Sequence, residues 1–321
     1  MLQLVKKKPK KPVSLKQHAF RRNNILLKRR CGGFGDILMH RMIFEDAKIQ
    51  YPELNFCFSC PYPFSEFIKN HPFAQSINMN EIEDSDYGII YDDTTVCRVH
   101  EAKHGADNQM HRSDIWSNYM GINLVNHKMH LHSNKLNLNH INPQNKIKIL
   151  LATQSTNDEF GISKSLTSSQ IENLVNSLKD EFFLFTVHHE RQEIYDQLNV
   201  VQFAGVDCQN WINLVETADI IISVDTATFH LAGGLNKPLV GIFSFTNGKV
   251  YGKYYNFTLV QKHRDDGNWD CGPCFNLTFC HKCNNFPKPC ITELKNEDIL
   301  NGFYEELKKL HYVKKPSTIN L

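Results

Sequence analysis

The sequence predicts an α/β protein built from two doubly wound units that face a cleft. Three observations carry this reading. Short apolar or β-branched runs alternate with helix-length amphipathic stretches, the pattern of mostly parallel sheets. The alternation comes in two series, separated by an Asn-rich, Pro-containing stretch that reads as a linker. At 321 residues the chain is long enough for two cores of ordinary size.

In the first series, strands are expected at Ile25–Lys28, Asn55–Ser59, Ser76–Met79 and Gly88–Tyr91, with helices over Ile37–Gln50, Phe64–Asn70 and His111–Met120. Asn126–His132 alternates polar and apolar residues and is expected to be a strand leading into the linker, which runs to about Asn145. The second series places strands at Ile147–Leu151, Phe182–Val187, Val200–Phe203, Asp219–Val224 and Leu239–Phe243. Its helices follow Ser168, lie near Glu190–Leu198 and Trp211–Thr217, and start from Thr226. The division is a basic arm at 1–23, an N-terminal unit at 24–140 and a C-terminal unit at 141–321. In such sheets ligands approach the carboxyl ends of the strands.

A hydrophobic share of 41% and a charged share of 22% are those of a soluble globular protein. Apolar runs such as Ile220–Ile222 are far too short to span a bilayer, and the Lys-Pro-rich N-terminus lacks the apolar core of a secretory signal. A cytoplasmic protein without a transmembrane segment is expected. Residues 1–30 hold eleven Lys or Arg and no acid, leaving 25 basic against 34 acidic residues in the remainder. A basic arm on an acidic body suits a polyanion such as nucleic acid, phosphorylated glycan or anionic headgroups, and equally suits a solubilising tail. Arg21, Arg22, Arg29 and Arg30 lie near the first motif below and are the better candidates for an anionic ligand.

That motif is CGGFGDILMH, Cys31–His40. It fits neither a dinucleotide fingerprint nor a Walker loop. Its glycines at 32, 33 and 35 allow a tight strand-to-helix turn and close approach of a ligand. Asp36 then reads either as a helix N-cap or as a carboxylate projecting into the cleft as a general base. The second motif, SVDTATFHLA over Ser223–Ala232, starts at the end of a buried strand. Its backbone N–H groups at Thr226–Thr228, with the two threonine hydroxyls, suit a phosphate. The competing reading is an Asp-Thr cap on a packed helix, with His230 a satisfied half-buried residue.

The stretch CGGFGDILMHRMIFEDAKIQYPE resembles the N-terminal motif of the family 9 glycosyltransferases, the ADP-heptose:lipopolysaccharide heptosyltransferase family. SVDTATFHLAGGLNKPLVGIF is similar to that family's second signature, and Ala152–Ser155 with Lys164 resembles its phosphate loop and downstream lysine. The resemblance spans most of residues 24–310. It implies a GT-B fold of two Rossmann-like domains and inverting transfer from a nucleotide-sugar, an ADP-sugar by family habit, with no cofactor required for catalysis. It makes Asp36 the base. It places Thr153, Ser155, Lys164, Glu190, Asp225, Thr226, Ala227, Thr228 and His230 on the donor side, Glu190 toward the donor ribose. Gly33, Gly35, His40 and Arg112 fall on the acceptor side. The acceptor implied is a lipopolysaccharide core or another anionic surface glycan, met at the inner membrane surface. Two departures stand out: Ala227 replaces the usual Gly, and the loop after the first C-terminal strand reads Ala-Thr-Gln-Ser.

Cys271, Cys274, Cys280 and Cys283 form two CxxC pairs, a set suited to a structural zinc, with Cys290 or His281 as substitute ligands and free thiols as the alternative. Seven of the sixteen histidines lie between residues 100 and 140 at irregular spacing and read as scattered surface residues. The stretch YGKYY at Tyr251–Tyr255 reads as packing or as a platform for a base or sugar. Two rival functions stay open. One is a sugar transferase acting on nucleic acid, as a virus-encoded enzyme for modified bases would; the other is a non-catalytic, zinc-stapled nucleotide- or nucleic-acid-binding protein.

Overall fold

The structure, a computed structural model, describes residues 22–30, 33–156, 164–261 and 289–310. Two parallel sheets organise it. The first contains β1 (Asn24–Lys28), β2 (Asn55–Ser59), β3 (Gln75–Ser76) and β4 (Ile89–Asp92), in the order β3-β2-β1-β4. The second contains β5 (Lys148–Ala152), β6 (Phe183–His188), β7 (Val201–Ala204), β8 (Ile220–Val224), β9 (Leu239–Phe243) and β10 (Thr258–Gln261), in the order β10-β9-β8-β5-β6-β7. Leu26 pairs with both Cys57 and Ile90, and Leu150 with Ile221, so β1 and β5 are central.

In each sheet the winding reverses beside the unit's first strand, between β1 and β4 and between β5 and β8. Such a switch point splays the connecting loops apart and leaves a crevice at the strand carboxyl ends. Arg29 and Asp93 follow β1 and β4; Thr153 and Asp225 follow β5 and β8. The strands β8 (IIISV) and β9 (LVGIF) are buried at every residue, because helices cover both faces of a parallel sheet and no solvent-facing alternation survives.

Helices α1 (Phe34–Gln50), α2 (Val96–His104) and α3 (Arg112–Met120) accompany the first sheet. Helices α4 (Ser168–Leu178), α5 (Glu193–Gln197), α6 (Cys208–Thr217), α7 (Ala227–Gly234), α8 (Gly248–Tyr251) and α9 (Pro289–Thr292) accompany the second. Thr167 and Gln170 form a reciprocal capping box that starts α4, and the Asp207 side chain accepts from Asn210 N–H to start α6. Helix α10 (Asn296–Lys309) returns onto the second sheet, burying Ile299, Phe303 and Leu307 with Val240, Ile242 and Val260. One apolar cluster extends from Ile25 and Phe58 in the first unit to Phe229 and Phe243 in the second. At the junction, Phe34 stands edge-on to Phe64 (4.9 Å between ring centres) and to Trp211 (5.6 Å).

Asn126–His132 forms no strand. His127 and His130 take left-handed backbone angles (φ 52° each), which breaks an extended ladder despite the alternating pattern. The linker instead docks on α6, where Asn134 N–H donates to Asn213 Oδ1 (2.9 Å) and Leu136 N–H to Thr217 Oγ1 (2.7 Å). The helix expected at Phe64–Asn70 shortens to a 3₁₀ turn over Phe64–Phe67, and the strand at Ser76–Met79 to Gln75–Ser76. Helix α2, strand β10 and helix α10 are not anticipated by the sequence pattern. Among the described residues no helix is long and apolar enough to cross a membrane.

Candidate active site

Asp36 is the third residue of α1, whose N-cap is Gly33 with no side-chain cap. The cap reading therefore fails: the Asp36 carboxylate turns to two guanidinium groups. Arg29 Nη2 donates to Oδ2 at 2.6 Å and Arg112 Nη1 to Oδ1 at 2.5 Å. Burial pushes the Asp36 carboxyl up, but Arg112 and Arg29 together outweigh it and hold the group well below the usual carboxylate range. Asp36 is ionised at every working pH. Clamped this way, it is a weak base until one guanidinium shifts its weight elsewhere.

Arg112 has such an alternative partner. As the first residue of α3, after the capping side chain of His111, its Nε and Nη2 donate to the two oxygens of Glu101 at 2.7 and 2.8 Å. Arg29, the residue after β1, lies over Trp116 (5.1 Å) with Asp93 Oδ1 3.8 Å from its Nη1. Arg29 thus serves the protein's own Asp36, while Arg30 is exposed and pairs with Asp92 at 3.2 Å.

His40 does not face the cleft. It is fully buried, stacked 3.5 Å from Trp116, with Nδ1 on the Asp36 carbonyl (2.8 Å) and Nε2 on Asp93 Oδ2 (2.6 Å). Because it is one helical turn beyond Asp36, its ring braces the turn that carries the carboxylate rather than touching an acceptor.

On the opposite wall, Thr226 caps α7, its Oγ1 accepting from Thr228 N–H at 3.1 Å. Thr228 is buried, so the turn offers a phosphate backbone N–H groups and the Thr226 hydroxyl more than a second hydroxyl. Asp225 precedes the cap and is not open either. Its Oδ2 accepts from Lys164 Nζ (3.0 Å) and from Thr246 Oγ1 (2.7 Å), and its Oδ1 lies 3.9 Å from His230 Nε2. Burial pushes the Asp225 carboxyl up, and Lys164, His230 and Thr246 bring it below its ordinary value. Burial pushes the His230 imidazole down to about 4, against the opposing pull of Asp225 and Asp36. The Thr153 hydroxyl is buried and bonded to Tyr195 Oη, so it turns away from the loop. Ser155 N–H donates to Ser165 Oγ (2.8 Å), and Leu166 N–H to the Thr153 carbonyl (2.9 Å), which folds the loop back beside Lys164. Glu190 is exposed, just beyond the end of β6.

The two walls meet at Gly35. A β-carbon there would sit 3.0 Å from His230 Cδ2, tighter than an ordinary contact, so glycine favours this close approach of α1 and α7. The Asp225–Thr228 turn and Asp36 are thereby neighbours. Tyr251 crosses the same cleft, its hydroxyl donating to Glu101 Oε1 at 2.9 Å and its ring 5.2 Å from the Arg112 guanidinium. Arg29, Glu101, Thr246 and Tyr251 are absent from the site residues expected from sequence; Arg29 had a signal in its closeness to the glycine turn and Tyr251 in the tyrosine-rich stretch, while Glu101 and Thr246 had none.

Histidines of the 100–140 stretch are less scattered than their spacing suggests. His111 is buried, His127 stacks on Tyr254 at 3.5 Å and His130 reaches Glu45 Oε2 at 3.1 Å. Tyr254 also donates to Asp114 (2.6 Å), and Tyr255 packs edge-on to Phe229 (5.6 Å), so these two tyrosines pack, while Tyr251 lies in the cleft. Cys271, Cys274, Cys280 and Cys283 lie outside the described residues. Among the described residues no group of His, Cys, Asp and Glu is placed to hold a metal ion.

Residues 187–275 match the profile of glycosyltransferase family 9 (heptosyltransferase). That segment, less than a third of the chain, is similar to the family. No curated protein sequence matches the chain at a significant level. Among solved structures, the chain is similar to ADP-heptose LPS heptosyltransferase II of E. coli (TM-score 0.59, 12% identity, 90% of this chain and 100% of that one). It is similar to E. coli heptosyltransferase WaaC, solved with ADP (TM-score 0.56, 11% identity, 88% and 99%). It is also similar to TibC of enterotoxigenic E. coli, a dodecameric, iron-containing heptosyltransferase solved with ADP-D-β-D-heptose (TM-score 0.65, 15% identity, 90% and 78%). At these identities the likeness establishes the GT-B type fold, and the family match over residues 187–275 points the same way.

Proposed function

We propose that this glycosyltransferase moves a heptose or similar sugar from an ADP-sugar to an acceptor hydroxyl with inversion at the anomeric carbon. The observation that carries the reading is the meeting at Gly35, which sets one ionised carboxylate beside an N–H-rich turn flanked by the Lys164–Asp225 ion pair. Asp36 takes the acceptor proton as the acceptor oxygen bonds to the anomeric carbon. The bond from that carbon to the diphosphate oxygen breaks, and the charge it leaves falls to Lys164, the backbone N–H groups opening α7 and the Thr226 hydroxyl. A single displacement needs one carboxylate, because no covalent intermediate forms. Lys164 is held by Asp225 until a diphosphate competes for it.

The acceptor proposed is an anionic surface glycan of lipopolysaccharide type, handled at the cytoplasmic membrane surface. The transfer step uses no metal, and the four cysteines of the CxxC pairs hold a structural zinc, for which the donor set is suited. A thermal-shift panel of ADP, UDP, GDP, CDP and their sugars tests the donor. ADP and ADP-heptose should stabilise the chain, by roughly 2.7 kcal/mol at one hundred times the dissociation constant. No response to any nucleotide would overturn the reading.

A further inference from the structure

Glu101, on α2, is buried and accepts three hydrogen bonds: two from Arg112, at 2.7 and 2.8 Å, and one from the Tyr251 hydroxyl, at 2.9 Å. The guanidinium of Arg112 also donates a hydrogen bond to Asp36 at 2.5 Å. A guanidinium shared between two carboxylates gives neither its full attraction, so the grip of Glu101 determines how firmly Asp36 is held. Tyr251 closes α8, which begins after Asn247, and the preceding residue, Thr246, is the one bonded to Asp225. The donor-side turn and Asp36 are therefore joined through a short helix and two buried side chains.

We propose that Glu101 is a positioning residue that draws Arg112 off Asp36, and that Tyr251 ties this setting to occupancy of the donor-side turn. The proposal rests on Asp36 being the base. When a diphosphate takes Lys164 from Asp225, the Asp225–Thr246 contact readjusts, α8 carries the change to Tyr251, and Glu101 alters its hold on Arg112. Asp36 also faces Arg29, His40 and His230, and Cys97 lies beside Arg112 and Glu101. None of these joins Glu101 to the second sheet as Tyr251 does.

The test uses the full chain with ¹³C-labelled aspartate carboxyls, the Asp36 resonance being assigned by its loss in Asp36→Asn. That resonance should move in Glu101→Gln, and adding ADP should move it in the wild type but not in Tyr251→Phe. With ADP-heptose and water as acceptor, Glu101→Gln should lose roughly tenfold in kcat, part of a general base's share, with donor KM within about twofold. An Asp36 resonance unchanged in Glu101→Gln, or a defect confined to KM or melting temperature, overturns the positioning role. An identical ADP response in Tyr251→Phe and wild type overturns the coupling, and this variant removes only a hydroxyl should Glu101→Gln fail to fold. If the wild type neither binds nor releases ADP, the donor reading fails. The Asp36 resonance in Glu101→Gln needs no donor and still decides the role of Glu101.

Discussion

Asp36→Asn separates the electrostatic from the catalytic part of the argument, because the substitution keeps shape and removes charge. In the wild type the side chains of Asp36 and Arg29 are only 12% and 6% exposed, so water does little to replace the lost partner. Removing one member of a buried ion pair costs about 3–5 kcal/mol. The lower end applies, since asparagine keeps an acceptor oxygen, Glu101 retains Arg112, and Asp93 lies 3.8 Å from Arg29. A loss of about 3 kcal/mol lowers the melting temperature by roughly 4–5 °C in a chain of 321 residues, whose unfolding entropy is about 2.1 cal/mol/K per residue. The sign with pH is determined by the depressed Asp36 carboxyl. Its stabilisation is full above the ordinary carboxylate pKa of about 3.9 and is lost as pH falls through the folded value, so the gap between wild type and variant narrows only in strong acid. Scanning calorimetry at neutral pH and near pH 3 reads this gap, while transfer activity should fall roughly 100-fold or more. Unchanged melting at neutral pH would refute the clamp, and activity within a few-fold of wild type would refute the base.

Two other perturbations follow from the same geometry. Lys164→Ala removes the Asp225 partner that the proposed donor diphosphate would take over, a charge-assisted contact of about 1.5–3 kcal/mol, so the ADP dissociation constant should rise roughly tenfold or more by titration calorimetry; a value within twofold would exclude Lys164 from the proposed donor site. Burial pushes His71 and His111 down to about 3 and His230 to about 4, so all three stay neutral in the fold. The unfolded chain takes up protons below about pH 6.5, which lowers stability by up to about 1.4 kcal/mol per histidine at pH 5.5. Acidification from pH 7 to 5.5 should therefore lower the melting temperature with net proton uptake on unfolding, and a flat profile would contradict the burial of these rings.

Much of the fold was legible because parallel strands buried on both faces write themselves as unbroken apolar runs: Asn55–Ser59 and Leu239–Phe243 stand where the pattern puts them. Where local pattern and tertiary demand diverged, the pattern misled. Asn126–His132 alternates like a strand, yet its backbone turns left-handed at His127 and His130, and Asn126 N–H donates to the Asp46 carboxylate on α1. Helix α2 is short and largely polar, so nothing local announced it, although it carries Glu101.

The sequence by itself determined the two doubly wound series, the glycine turn before Asp36 and the Asp-Thr turn before α7, because strand burial, turn geometry and helix starts are written in neighbouring residues. Only the tertiary structure decided that Asp36 is clamped rather than capping, that His40 braces from behind, and that Arg29, Arg112, Glu101 and Tyr251 meet around one carboxylate. Those contacts join residues far apart in the chain, and a charged side chain's partner is settled by which strand ends and helix starts the topology brings together.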